Sequence, residues 1–186
     1  EVESLDRGWF FNRGYESQAA DKVTVDLPHT WNAADAMFGN VNYYRGMSTY
    51  SRFIVVPSSE NFKRVFLRVK AAQTVADVYL DNHFVAQHKG GYTSFTVELT
   101  HLIRKGEKHK LDIRVSNAQT MEIAPICGDF NIWGGLNRGV ELLYTDDACI
   151  DPTFYGSSGV FFTQCDVSEK YAGLEMKHCY RELKWH

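Results

Sequence analysis

The sequence predicts an all-β fold, an antiparallel sandwich of the jelly-roll kind. Three observations predict it. Apolar residues recur with period two in almost every segment. The segments are short and separated by Gly, Pro, Asn and Asp turn signals. No segment keeps a helical period beyond two turns. At 186 residues and 44% hydrophobic content, the chain is long enough to bury a sizeable core.

The elements follow in order. Lys22-Val-Thr-Val-Asp26 alternates, and Tyr50 to Val56 is aromatic and β-branched until Pro57 stops it. Arg64 to Lys70 sets Val65, Leu67 and Val69 on one face; Lys110 to Ser116 does the same with Leu111, Ile113 and Val115. Val75 to Leu80 and Phe84 to Gln87 flank Asp81-Asn82-His83. Asx residues tolerate positive φ, so this reads as a tight hairpin. Gly90-Gly91 ends it and Ser94 to Leu99 begins the next strand. Thr100 to Gly106 reads as one helical turn, capped by Thr100 and ended by Gly106. A β pattern resumes at Val140, and further strands are expected at Val160 to Gln164 and Gly173 to Lys177.

Composition excludes several classes. The net charge of −3, with no long basic run, argues against a surface that tracks nucleic-acid phosphates. No apolar stretch reaches the ~20 residues of a membrane helix. The chain begins at Glu1 rather than Met, so the lack of a leader says nothing about secretion, and the compartment is left unknown. Cys127, Cys149, Cys165 and Cys179 follow no metal-like spacing and are expected as free thiols. A zinc site on His178 and Cys179 is disfavoured, because neighbours on a strand point to opposite faces.

The stretch Asp129-Phe-Asn-Ile-Trp-Gly-Gly-Leu-Asn-Arg-Gly-Val140 stands between two strand-like runs, where a plain loop would do. It suits a loop that shows a carboxylate and an aromatic plane to a ligand rich in hydroxyls. Asp129 accepts two hydroxyl hydrogens at once, and hydrogen bonds to a charged group contribute about 1.5–3 kcal/mol. The plainer reading is an Asp that caps its own loop amides. Asn40, in Phe38-Gly-Asn-Val-Asn-Tyr-Tyr44, offers an amide that donates to one sugar oxygen and accepts from another hydroxyl, or else serves a turn. Trp133 and Trp31 offer stacking planes, although buried indole is the commoner use of Trp in a sandwich. Arg138 orients Asp129 or forms a structural ion pair. His29, after Pro28, reads as a structural hydrogen-bonding group. Glycoside hydrolysis needs two carboxylates across one bond, and no second acidic residue lies in a comparably special loop. No G-x-S-x-G, phosphate-binding Walker loop or H-E-x-x-H occurs.

Four segments carry a resemblance: Leu27-Pro-His-Thr-Trp31, Tyr44-Arg-Gly-Met-Ser-Thr-Tyr50, His88-Lys-Gly-Gly-Tyr-Thr-Ser-Phe95 and Gly134-Gly-Leu-Asn-Arg-Gly-Val140. In this order they resemble the N-terminal sugar-binding domain of family-two glycoside hydrolases, which include β-galactosidases, β-glucuronidases and β-mannosidases. The resemblance implies a galactose-binding-domain-like jelly roll over residues 1–150, packed on a catalytic (β/α)₈ barrel that supplies the acid/base and nucleophile glutamates. It implies that residues 151–186 are a linker and the first strands of an immunoglobulin-like second domain, with Pro152 to Gln164 as the junction. In the β-galactosidase branch, an Asp and an Asn of this domain contact the sugar, and Asp129 and Asn40 match those positions. Trp133 and Arg138 join them as candidate substrate contacts. The implied partners are a β-galactoside or related glycan and the parent's own barrel, with no nucleic acid and no membrane. Only if the protein degrades glycans does the compartment lean weakly to the periplasm or cell exterior. No cofactor is expected in this chain; a sodium or magnesium ion is left to the parent enzyme. Two departures stand out. Gly139 follows Arg138 where the family often has an acidic residue, and the end from His178 to His186 is unlike the family's continuation. Two other readings stay open: a free-standing carbohydrate-binding module or lectin, with Trp133, Trp31 and Tyr92 as platform, and a structural interaction sandwich.

Overall fold

The structure is a computed structural model that describes residues 1–14, 23–33, 35, 43–58, 61–124 and 131–181. Among them every regular element is a strand. They are β1 (Val2–Ser4), β2 (Trp9–Arg13), β3 (Val23–Val25), β4 (Met47–Val55), β5 (Arg64–Val69), β6 (Val75–Leu80), β7 (His83–Lys89), β8 (Phe95–Glu98), β9 (Lys108–Ser116), β10 (Val140–Thr145), β11 (Cys149–Ile150), β12 (Val160–Val167), β13 (Ala172–His178) and β14 (Tyr180–Arg181).

Two antiparallel sheets make the sandwich. One has the order β1-β10-β5-β8 and the other β3-β2-β4-β9-β6-β7. The alternation read in the sequence is the inward face. Leu67 and Val69 from the smaller sheet meet Leu111, Ile113 and Val115 from the larger, all fully buried in one cluster. Each such side chain contributes about 1.5–3 kcal/mol. The hairpin at Asp81-Asn82 is as expected. Both residues have positive φ, 49° and 66°, and Leu80 pairs with His83, so a two-residue turn joins β6 to β7.

Two details differ from expectation, and a third meets the edge of the described residues. The N-terminal residues add β1 and β2, and Trp9 and Phe11 of β2 enter the core. Their short runs carry too few alternations to stand out as strands. The Thr100 hydroxyl does not cap a helical turn: it accepts from the Val65 backbone N–H at 3.1 Å and donates to Glu98 at 2.9 Å. The turn that follows is closed instead by backbone bonds to Leu99 O. The strand expected from Lys22 is described from Val23.

β5 is buried on both faces, although its outward positions include Arg64. That guanidinium is 1% exposed. It lies over the Phe66 ring and grips Glu98 with Nε at 3.0 Å and Nη2 at 2.9 Å. Its Nη1 donates to the carbonyls of Asp147 and Arg181. The clamp therefore ties the sandwich to the C-terminal segment, where β11 pairs with β14 and β12 pairs with β13. Arg181 adds a second cation to Glu98 at 3.5 Å and reaches Asp151 at 3.6 Å. The β12–β13 hairpin itself is almost wholly exposed, with Phe162, Leu174 and Met176 facing solvent.

Burial alone would raise the Glu98 carboxyl, but hydrogen bonds from Arg64 and Thr100 hold it below its ordinary range. Its stabilising contribution is present above the ordinary carboxylate value and is lost as pH falls below it. Removing its charge strands a buried guanidinium. We expect Glu98→Gln to lower the unfolding free energy by about 3 kcal/mol in urea titration. A loss below about 1 kcal/mol would show that the clamp is an ordinary surface pair.

Candidate functional site

The loop-rich end of the sandwich is organised by two asparagines. Asn32 and Asn117 are both fully buried. Asn117 Nδ2 donates to Asn32 Oδ1 at 3.1 Å and to Ile132 O at 3.1 Å, and its Oδ1 accepts from Gly46 N at 2.9 Å. Asn32 Oδ1 also accepts from Gly134 N at 2.7 Å. Asn32 Nδ2 donates to Asp35 Oδ2 at 2.6 Å and to Tyr44 O at 2.9 Å. The Tyr43 hydroxyl donates to Ile132 O. Four pieces of chain that are far apart in sequence are thereby held together: the segment after Leu27, the segment entering β4, the end of β9 and the segment before β10. An amide suits this task because it offers two donors and an acceptor oxygen with two lone pairs on one rigid plane.

A packed layer lies under the amides. His29 Nδ1 and the Tyr50 hydroxyl share a hydrogen bond of 2.7 Å. Burial lowers the His29 imidazole and pushes the Tyr50 phenol far up, so both are neutral near pH 7. Trp31 is 6% exposed, stacked on Phe11 and edge-on to Tyr44. Its indole explains the first of the paired glycines. A Cβ on Gly134 would lie 2.0 Å from Trp31 Cζ2. The backbone there also receives the Trp31 N–H at Gly134 O, 3.2 Å.

The candidate site residues fall into three groups. Trp133 is 38% exposed, on a loop fixed on either side by Ile132 and Gly134. It is a free aromatic plane at the rim of the network. Trp31 is not: it is a core indole, which removes it from any stacking platform. Tyr92 is exposed but belongs to the turn after β7. Arg138 lines a separate cleft, none of whose lining residues belongs to the amide network, and among the described residues it has no ion-pair partner. Asp129 and Asn40 lie outside the described residues, as does Cys127. The described residues that flank them in sequence, Asp35 and Tyr43 for Asn40 and Ile132 for Asp129, are all members of the network.

Asn32 and Asn117 are the residues that sequence reasoning passed over. A polar residue next to Trp31, and another closing the alternation of β9, were the available signals. Asp35 is the network's one carboxylate among the described residues, and its Oδ2 is taken by Asn32 Nδ2 and Tyr44 N. That arrangement positions loops; it does not supply the acid and nucleophile that a glycoside bond requires. Among the described residues no group of three His, Cys, Asp or Glu side chains could hold a metal ion. Cys149, Cys165 and Cys179 are free thiols.

The family described as glycosyl hydrolases family 2, sugar binding domain, matches residues 5–146. A β-glucuronidase of Bacteroides fragilis is 40% identical over 168 residues, which is 90% of this chain and 24% of that protein. The crystal structure of an FMN-binding β-glucuronidase from Faecalibacterium prausnitzii L2-6 superposes with a TM-score of 0.88 at 36% identity, covering 97% of this chain and 28% of that one. A putative β-galactosidase from Bacteroides fragilis superposes at 0.87 with 30% identity, covering 95% and 28%. The chain thus spans about a quarter of the length of these relatives.

Two expectations follow from the site. Asn117→Ala strands Gly46 N and takes away one of two donors from both Ile132 O and Asn32 Oδ1, and a buried orphan costs about 1–3 kcal/mol. We expect a loss of about 3 kcal/mol in chemical denaturation and faster amide exchange at Gly46 and Gly134. The pH response near neutrality is set by His29 together with His88, whose imidazole burial also lowers. Both folded-state values are depressed below 6.5, so the unfolded chain takes the proton first. Stability is complete above about pH 6.5 and falls as pH drops below it. Melting curves from about pH 7.5 to 5.5 should show a falling Tm, and His29→Gln should flatten part of that slope.

Proposed function

Because the chain belongs to the sugar-binding domain family of family 2 glycosyl hydrolases, we propose that it is the non-catalytic front of a glycoside hydrolase. In this reading it packs on the parent's barrel and lends polar contacts to the substrate sugar. The observation that carries the reading is the Asn32–Asn117 network. It fixes Asp35 and Tyr43, on either side of Asn40 in sequence, and Ile132, downstream of Asp129, and it leaves Trp133 exposed next to Ile132. Asp129 and Asn40 accept and donate to sugar hydroxyls, and Trp133 stacks on the apolar face of a pyranose ring. The acid and the nucleophile come from the barrel. Residues 151–186 open the next domain, which the Arg64–Glu98 clamp aligns with the sandwich.

The substrate is a β-glycoside. The motif match of Asp129 and Asn40 leans toward a β-galactoside, whereas the 40% identical relative is a β-glucuronidase. Of the two, overall identity favours the glucuronide, and chromogenic glycosides of both sugars decide it. We assign the chain no cofactor of its own. A sodium or magnesium ion near Asp129 would need further oxygen ligands from the parent. A flavin spectrum in the purified chain would overturn that assignment.

A free-standing lectin is the competing reading. Association costs an estimated 4–15 kcal/mol before any contact shows as affinity, and two polar contacts and one indole barely offset it. The isolated chain is therefore expected to bind monosaccharides only at millimolar levels. Micromolar binding of galactose or glucuronate in titration calorimetry would favour the lectin. In the full-length enzyme, Asp129→Ala should lower kcat/KM about tenfold or more, since each 1.36 kcal/mol of lost transition-state contact is tenfold. An unchanged rate would reduce the domain to packing alone.

A further inference from the structure

A basic cleft of about 380 Å³ lies away from the amide network, walled by Arg68, Lys70, Arg138, Ser94, Ser157 and Ser158. The strands themselves assemble it. Lys70 N donates to Gly139 O at 3.0 Å, which sets Arg138 beside the end of β5. Glu141 pairs with both Arg68, at 3.2 Å, and Lys70, at 2.8 Å. Two of the cleft's three cations thus share one carboxylate, and Arg138 is the cation left without an acidic partner among the described residues.

The cleft has an aromatic neighbour. A second hollow of about 570 Å³ shares Ser94 and Gly156 as a common wall and is lined by Phe154 and Tyr155. Tyr155 is 90% exposed and adopts a positive φ of 49°, a conformation that side chains rarely take. Gly156 follows at 65°, and a Cβ there would strike Ser94 O at 1.9 Å. The loop is pinned by Ser94 Oγ donating to Gly156 O at 2.8 Å. A bulky ring is therefore held at a hollow of mixed hydroxyl and aromatic lining that also includes Asp151, by a backbone that Gly would occupy more readily. Thr96 adds a buried hydroxyl with no partner to the wall of this hollow.

We propose that the two clefts form a second carbohydrate-binding site, one for an acidic saccharide. The carboxylate or sulfate of the sugar sits among Arg138, Arg68 and Lys70, where a planar guanidinium gives bidentate pairing. The serine hydroxyls exchange hydrogen bonds with neighbouring sugar hydroxyls, and the Tyr155 ring lies against the apolar face of the next unit. The open form of both clefts suits an extended chain better than a small enclosed ligand. The site holds no acid–nucleophile pair, so its role is to retain an anionic glycan while the catalytic domain works elsewhere. It does not depend on Asp129 or Asn40 touching substrate.

The test uses the full-length protein that carries this chain and titrates three probes: a chondroitin sulfate tetrasaccharide, a neutral galacto-oligosaccharide of equal length and inorganic sulfate. We expect the acidic tetrasaccharide to bind at least tenfold more tightly than the neutral one or sulfate alone, and more weakly as salt rises. Arg138→Gln and Tyr155→Gly should each weaken it severalfold, with Tm unchanged in Arg138→Gln and not lowered in Tyr155→Gly, because neither residue is buried and Gly suits the positive φ at 155. Equal binding of the neutral probe, or of inorganic sulfate, overturns the saccharide assignment. Unaltered binding in Arg138→Gln overturns the location.

Discussion

The hydrogen bond that one buried amide donates to another is the constraint on which the functional end of this domain rests. A β-sandwich determines its strands by burial, but its loops have no such instruction. Here Asn32 and Asn117 supply it. Each satisfies backbone groups of segments that no sheet ladder reaches, including Gly46 N, Gly134 N and Ile132 O. Inside a low-dielectric interior such a network strengthens its own members and punishes any vacancy. The loops before β4 and before β10 are therefore set by the same atoms. Groups that meet a ligand need that kind of preorganisation, because binding energy spent on ordering loops is lost to affinity.

A second device works at the opposite scale. The Arg64–Glu98 pair is buried in the outward face of the smaller sheet and reaches the carbonyls of Asp147 and Arg181. A buried ion pair is a poor source of net stability, since desolvation offsets much of the attraction. It is a good source of direction. A guanidinium with its fork spent on one carboxylate and its remaining nitrogen on two carbonyls accepts only one placement of the chain that leaves the sandwich. Within the domain, apolar packing gives the energy and these charges give the alignment.

Most of the fold was legible because burial writes itself into period two. The faces of β5 and β9 were set by Val65, Leu67 and Val69 and by Leu111, Ile113 and Val115, and the turn at Asp81-Asn82 by residues that tolerate positive φ. β1 and β2 were missed, since three to five residues hold too few alternations for a period to show. The site was less legible, for a different reason. Asn32 and Asn117 act through partners up to 102 residues away, so nothing local marks them. Trp31 and Trp133 look alike in the sequence, yet one fills the core and the other meets solvent; the glycine between strand and indole decides which. Arg138 reads as a neighbour of Asp129 by spacing; the pairing of Lys70 with Gly139 sets it in a cleft with Arg68 and Lys70, a placement across strands that spacing does not show.

The β12–β13 hairpin has a practical consequence. Two strands alone are marginal in water, and this pair turns Phe161, Phe162, Val167, Leu174 and Met176 outward. Its outer backbone edges are unpaired among the described residues. Such a ribbon is a template that any extended segment can extend, whether the next strand of the same chain or a stranger. As the concentration of the isolated chain rises, pairing of two copies edge to edge along this ribbon is therefore the first departure from a monomer, and it needs no loosening of the sandwich core.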